Sequence, residues 1–178
     1  MPSAYIFQNW QNFYAMTGEA AATLIGLLFV ALSFGESVIQ GETAKVFRIW
    51  VEPTLYNFLQ VLGISAIAEM PVLPIQAFAG LIFFHTCYRL WRWGEIVRHF
   101  RGPEAPADLE REDWMEQVVL PGLYYALSLA SAVGLVLGQA WAPLGLAIYV
   151  MLVLMLGINN TWKQFAWMAG EKIKRRPQ

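Results

Sequence analysis

MTGEAAATLIGLLFVALSFGE, residues 16–36, is the stretch that decides the fold. From Ala20 to Phe34 it carries no charge and no proline. Counted from Ala15, the apolar run is about 20 residues, the length a helix needs to cross the roughly 30 Å hydrocarbon core of a bilayer. Gly18, Ala22 and Gly26 stand four apart, with Thr17 and Ala21 beside them, and that spacing sets them on one helix face. Small residues on one face let a neighbouring helix approach closely in lipid. Two carboxylates, Glu19 and Glu36, bracket the run. The segment reads as a transmembrane helix packed against other helices, not one bathed in lipid alone.

The totals agree. Of 178 residues, 57% are hydrophobic and 15% aromatic, while only 14% are charged, against about a quarter in a soluble domain. The apolar excess falls in long runs, which marks an integral membrane protein. A net charge of -1 gives no footing for a nucleic-acid partner. The single cysteine, Cys87, excludes an intrachain disulfide and a multi-cysteine metal site. No cleavable signal peptide is expected, because residues 1–15 hold no Lys or Arg and no apolar core ahead of a cleavage site. The expectation is one membrane domain, residues 1–178.

Outward from the first run, residues 4–14 place Ile6, Trp10, Phe13 and Tyr14 at helical spacing. This uncharged aromatic segment, within 1–15, suits either a membrane interface or a helical extension of the first span. The second span is expected over about 44–70, with Glu52-Pro53 marking a kink or the start of the buried part. A break at Glu69-Met70-Pro71 leads into a third span over about 72–93, so these two form a tight hairpin. Residues 94–117 form the largest loop, broken by Gly102-Pro103 and Ala105-Pro106. Its acidic run after Asp108 favours a helix start. The fourth span is expected over about 118–138. Ala126, Ala130, Gly134 and Gly138 make a second small-residue stripe there, with Tyr124, Ser128 and Ser131 as a polar stripe beside it. A short turn leads to the fifth span, about 144–162, and a basic tail, 163–178.

The fold class is therefore all-α: five transmembrane helices, one leading helix plus two hairpins. Five spans put the termini on opposite sides. All 12 Lys and Arg residues then fall on one side: Lys45 and Arg48, five arginines from Arg89 to Arg111, and the tail from Lys163. The excess of Lys and Arg marks the cytoplasmic side. The expected topology is N-terminus out, C-terminus in.

Ionisable groups within a membrane are costly and face a partner or water. If the second and third spans turn near Met70-Pro71, Glu52 and Arg89 lie at equal depth near the inner boundary, as a structural salt bridge or a functional pair. Asn57, Gln60 and His85 could complete a polar cluster in the inner half. His85 is either a hydrogen-bonded packing residue or a ligand, and His99 lies outside the span, which argues against a bis-histidine haem. Glu19 sits one turn inside the outer boundary. It either reaches interfacial water or, in a ring of subunits, forms a cation-attracting mouth. Glu36 is the second pore or ion-binding candidate. Asn159, Asn160, Thr161 and Trp162 close the fifth span. Zinc-protease, nucleophile-elbow and Walker motifs are missing; no enzyme, metal or cofactor is expected.

The first span, Thr17-Gly18 through Thr23-Leu24-Ile25-Gly26-Leu27-Leu28-Phe29-Val30-Ala31-Leu32-Ser33, resembles a group of small bacterial inner-membrane proteins. These have an aromatic N-terminal segment and end their last span with an Asn-Ala-Trp-like triplet. Here that place reads Asn159-Asn160-Thr161-Trp162. The group has no settled activity, so the resemblance implies a multi-pass protein of the bacterial inner membrane and little more.

The expected function is that of a homo-oligomer in the lipid bilayer: a small ion channel or permeation pathway, with the first helix near the axis. Two alternatives stay open. One is a non-catalytic scaffold holding a larger partner through its 94–117 loop, and the other is a cofactor- or lipid-binding protein built around His85 and Asn57.

Overall fold

The computed structural model describes residues 9–35, 42–70, 73–101 and 115–174. Among them are five α-helices and no strand. The helices are α1 (Gln11–Gly35), α2 (Glu42–Ala68), α3 (Ile75–Arg101), α4 (Leu120–Val136) and α5 (Ala142–Lys174). A single π-helical turn, Met115–Val119, runs straight into α4.

The helices fall where the sequence places five apolar segments, but they are not equally apolar. Among the described residues, two helical stretches are long and apolar enough to cross a membrane: Gln11–Ser33 and Ala142–Ala166. Leu120–Val136 is apolar but shorter. Helices α2 and α3 have the length, 27 residues each, but polar side chains dilute them. Glu42, Lys45, Arg48 and Glu52 occupy the first half of α2. Arg89, Arg92, Glu95, Arg98 and Arg101 occupy the second half of α3, with His85 just before its midpoint.

Several boundaries differ from expectation for local reasons. Helix α1 begins at Gln11, so residues 11–15 extend the first span as helix, while residues 1–8 lie outside the described residues. Helix α3 starts at Ile75, where the Pro74 carbonyl accepts the N–H groups of Ala77 and Phe78 at 2.9 and 3.1 Å. Pro53 lies inside α2 and does not end it. Helix α4 stops short of Gly138. Gly138 adopts a φ of 68°, its N–H donates to the Leu135 carbonyl, and the Gln139 N–H donates to the Gly134 carbonyl at 2.8 Å. This is the bonding of a Schellman cap, which needs a left-handed residue and favours glycine. Gly138 is thus the helix stop and not the last member of a packing stripe. Helix α5 runs past the expected end at Trp162, to Lys174.

The chain divides into two units. The first comprises Asn12–Glu69 and Val150–Gln178: α1, α2 and the later part of α5. Helices α1 and α2 are antiparallel neighbours. Thr17 meets Ser65 near one end, with 3.0 Å between the hydroxyl oxygens. Leu28 and Val51 form a buried cluster near the other, with Leu32 and Leu55 against it. Gly18 lets the backbones approach, because a Cβ there would stand 3.0 Å from that of Ser65. Helix α5 joins α2 where Gln164 Nε2 donates to Thr54 Oγ1 at 2.7 Å. Gly157 lies under the buried Phe58 ring, which a Cβ would meet at 2.5 Å.

The second unit comprises Met70–Tyr149 together with Met1–Gln11. Here α3 and α4 run antiparallel, and their contacts follow in reverse order. Thr86 meets Ser128 and Arg89 meets Tyr125. Trp93 Nε1 donates to the Val118 carbonyl at 3.1 Å, while its ring covers Gly122. The first residues of α5 fold back on α4. Gly134 packs on Trp141 and Ala142, and Gly145 packs on Ser131.

Candidate functional site

Helix α1 has two chemically distinct faces. Tyr14, Thr17, Gly18, Ala21, Leu28 and Ala31 are buried. Glu19, Thr23, Gly26, Val30 and Ser33 are all exposed. Their spacing is four, three, four, three. At about 100° per residue, the five lie within roughly 80° of arc, diametrically opposite the buried face. The stripe contains the helix's one carboxylate and two of its three threonine and serine hydroxyls. Only Thr17 turns inward, to Ser65.

Glu19 lies roughly 12 Å along α1 from its first residue, Gln11, at about 1.5 Å per residue. Nothing stands within 4 Å of where a Gly26 Cβ would be. The two hydroxyls of the stripe are oriented by their own helix. Thr23 donates to the Glu19 carbonyl at 2.8 Å, and Ser33 donates to the Phe29 carbonyl at 3.0 Å. Each hydroxyl has a single proton, so the outward side of each is an acceptor oxygen.

Several polar residues of the other helices turn inward, whereas Glu52, Gln76 and Asn159 are exposed. In the first unit Thr17, Thr54, Asn57, Gln60, Ser65 and Gln164 are buried. In the second, Thr86, Ser128 and Ser131 are buried. Thr86 donates to the Ile82 carbonyl at 2.8 Å and shares a second hydrogen bond of 2.8 Å with Ser128. Half-buried Arg89 donates from Nε to the Tyr125 hydroxyl at 2.9 Å, and its guanidinium carbon lies 5.5 Å from the centre of the same ring. Tyr124 and Tyr149 pack against each other nearby in a tilted arrangement, with ring centres 6.0 Å apart. Hydrogen bonds of this kind join helices where water is scarce.

No family model, curated protein or solved structure matches this chain. Its chemistry is therefore read from its own residues.

The residues singled out from sequence separate accordingly. Of the pore candidates, Glu19 is exposed and Glu36 lies outside the described residues. Glu52 is exposed, Asn57 and Gln60 are buried, and all three belong to the first unit. His85 and Arg89 belong to the second unit, one helical turn apart on α3. The His85 Nδ1 atom is buried and has no hydrogen-bond partner among the described residues. The two small-residue stripes divide. Gly18 and Gly134 are buried in helix contacts, whereas Ala22, Gly26, Ala126 and Ala130 are exposed and Gly138 forms the turn. No group of three His, Cys, Asp or Glu stands together among the described residues. Most of the acidic loop, from 102 to 114, lies outside them.

Sequence reasoning passed over Thr23, Val30 and Ser33 on α1, and Tyr125 as the partner of Arg89. The first three carry a legible signal. With Glu19 and Gly26 they repeat at the four-three spacing of a helix seam. Tyr125 had none, since its pairing depends on which helix faces α3.

Proposed function

We propose that the protein is a homo-oligomeric membrane protein in which copies of α1 surround a central, wetted ion pathway. In this reading all five helices cross the membrane, with the N-terminus outside and the basic loops and tail in the cytoplasm. It catalyses no reaction.

One observation carries the reading: the exposed side of α1 opposite its buried face is its most polar side. Lipid would select the reverse. A carboxylate on a membrane-spanning helix is costly and is kept for a partner or for water. A closed ring of α1 helices supplies both. Glu19, Thr23, Gly26, Val30 and Ser33 turn to the axis. Ala22 on one flank, and Met16 and Leu27 on the other, meet neighbouring copies. Little of α1 is committed within the chain, since 22% of its apolar window is buried against 56% for α5. That leaves enough surface for subunit contacts.

Two measurements on the full-length protein test this. Native mass spectrometry of the detergent-solubilised protein should give a closed oligomer of three or more copies; a monomer or dimer would sink the reading. In planar bilayers the wild type should conduct. Glu19→Gln should cut cation conductance at low salt severalfold, because a carboxylate ring concentrates cations at a pore mouth.

A further inference from the structure

The five residues of the α1 stripe differ in what they offer a permeating species, and their order along the helix is informative. Thr23 and Ser33 present oxygen acceptors outward, because the Glu19 and Phe29 carbonyls hold their protons. Glu19 adds a carboxylate. None of these five side chains carries an N–H donor or a basic group; exposed Asn12, two turns before Glu19, brings an amide to the start of the same face. Between the two hydroxyls stand Gly26, which has no side chain, and Val30, which is 52% exposed. Val30 is the single apolar side chain in the stripe and comes one turn before Ser33. It is also β-branched, which leaves it essentially one rotamer in a helix, so copies in a ring would present a fixed apolar collar.

We infer that the species passing along this stripe is a cation, handed between the acceptor oxygens of Thr23 and Ser33, and that Val30 between them is the dry barrier that gates it. The inference rests on the pathway proposed above and assigns its substrate class and its gate. Rings of oxygen replace part of a cation's hydration shell but give an anion nothing to bind. A hydrophobic collar holds a pore shut by excluding water, without needing a moving part. The inward-facing Thr17 on the same helix marks the distinction: its hydroxyl bonds to Ser65 of α2 and plays no part in the path.

The test is a set of shape-conserving exchanges in the full-length protein, recorded in planar bilayers under a potassium chloride gradient. The wild-type reversal potential should lie toward the potassium equilibrium value. Val30→Thr keeps the side-chain shape and adds a hydroxyl to the collar. It should raise the current roughly tenfold, the factor produced by about 1.4 kcal/mol off a barrier. Thr23→Val extends the dry zone and should lower the current by a similar factor, with the same oligomer mass. A reversal potential on the chloride side overturns the inference. So do Val30→Thr and Thr23→Val currents equal to wild type. If those results come with a Glu19-dependent conductance, the ion pathway stands and only its assigned ion and gate fall. A wild-type protein that is monomeric or silent overturns both.

Discussion

Helix α1 and the α3–α4 pair handle the same kind of side chain in opposite ways. On α3 and α4, Thr86, Ser128 and Ser131 are buried, and Leu81, Phe84, Leu123 and Val133 are turned out. That is the arrangement expected of helices in a membrane, where polar groups serve as glue between helices and the periphery is apolar. On α1 the glue is present but short, at Thr17 and Gly18. The outer side then carries Glu19, Thr23, Val30 and Ser33, flanked by Leu27 and Phe29. Thr86 of α3 and Ser128 of α4 are joined to each other across the helix contact. On α1 the Thr23 and Ser33 hydroxyls donate to carbonyls of their own helix and, like Glu19, face outward. The contrast separates residues that hold the subunit together from residues that are available for work.

Glycines give the sharpest test of that separation. A methyl group at Gly157 would stand 2.5 Å from the Phe58 ring, and 3.0 Å from two more of its atoms. Phe58 is fully buried and has nowhere to retreat. Gly157→Ala should destabilise the protein by about 2–3 kcal/mol, the usual cost of overpacking a tight interior. Gly26→Ala makes the same chemical change where nothing lies within 4 Å. It should leave the subunit unchanged or stabilise it by up to about 1 kcal/mol through the higher helix propensity of alanine. Unfolding in mixed detergent–lipid micelles, followed by circular dichroism, measures both. Equal losses would mean that α1 packs on its own chain all round, and the comparison would collapse.

The number and placement of helices were legible in the sequence because apolar runs set off by proline and glycine leave few alternatives. The end of α4 was legible in principle, since a glycine followed by a polar residue is a common helix stop. It was missed because Gly138 also completed a four-residue spacing with Ala126, Ala130 and Gly134. Spacing shows which residues share a face, but not which way the face turns. That ambiguity decided the site. Gly18, Ala22 and Gly26 make an apparent packing stripe, yet the helix turns Gly18 inward and the other two outward. The buried side is set by its neighbours: Ser65 needs a hydroxyl partner at Thr17, and Val51 an apolar one at Leu28. The Arg89–Tyr125 bond was illegible for the same reason, because it depends on α4 lying beside α3.

That bond yields the next prediction. Tyr125→Phe keeps the ring under the guanidinium and removes only the hydroxyl that accepts the Arg89 Nε–H at 2.9 Å. Hydrogen bonds to charged groups contribute about 1.5–3 kcal/mol. Arg89 is half-buried, which lets solvent replace part of the loss, so a destabilisation of about 1–2 kcal/mol is expected in the same unfolding assay. A change below about 0.3 kcal/mol would show that the stacking of guanidinium on ring, and not the hydrogen bond, holds α3 to α4 at this level.

The smallest effect isolates the hydroxyls themselves. Thr86 donates to its own helix at Ile82 and is joined to Ser128 across the interface. Thr23 donates to its own helix at Glu19 and lies on the exposed stripe. Replacing either by valine removes one helix-internal bond of the same type and preserves shape. The difference between the two variants therefore reports the bond across the helices alone. Interhelical hydrogen bonds in membrane proteins average about 0.6 kcal/mol, so Thr86→Val should be less stable than Thr23→Val by about that amount. If Thr23→Val proved the more damaging, the Thr23 hydroxyl would have a partner within the subunit, and the α1 stripe would belong to the fold and not to the pathway.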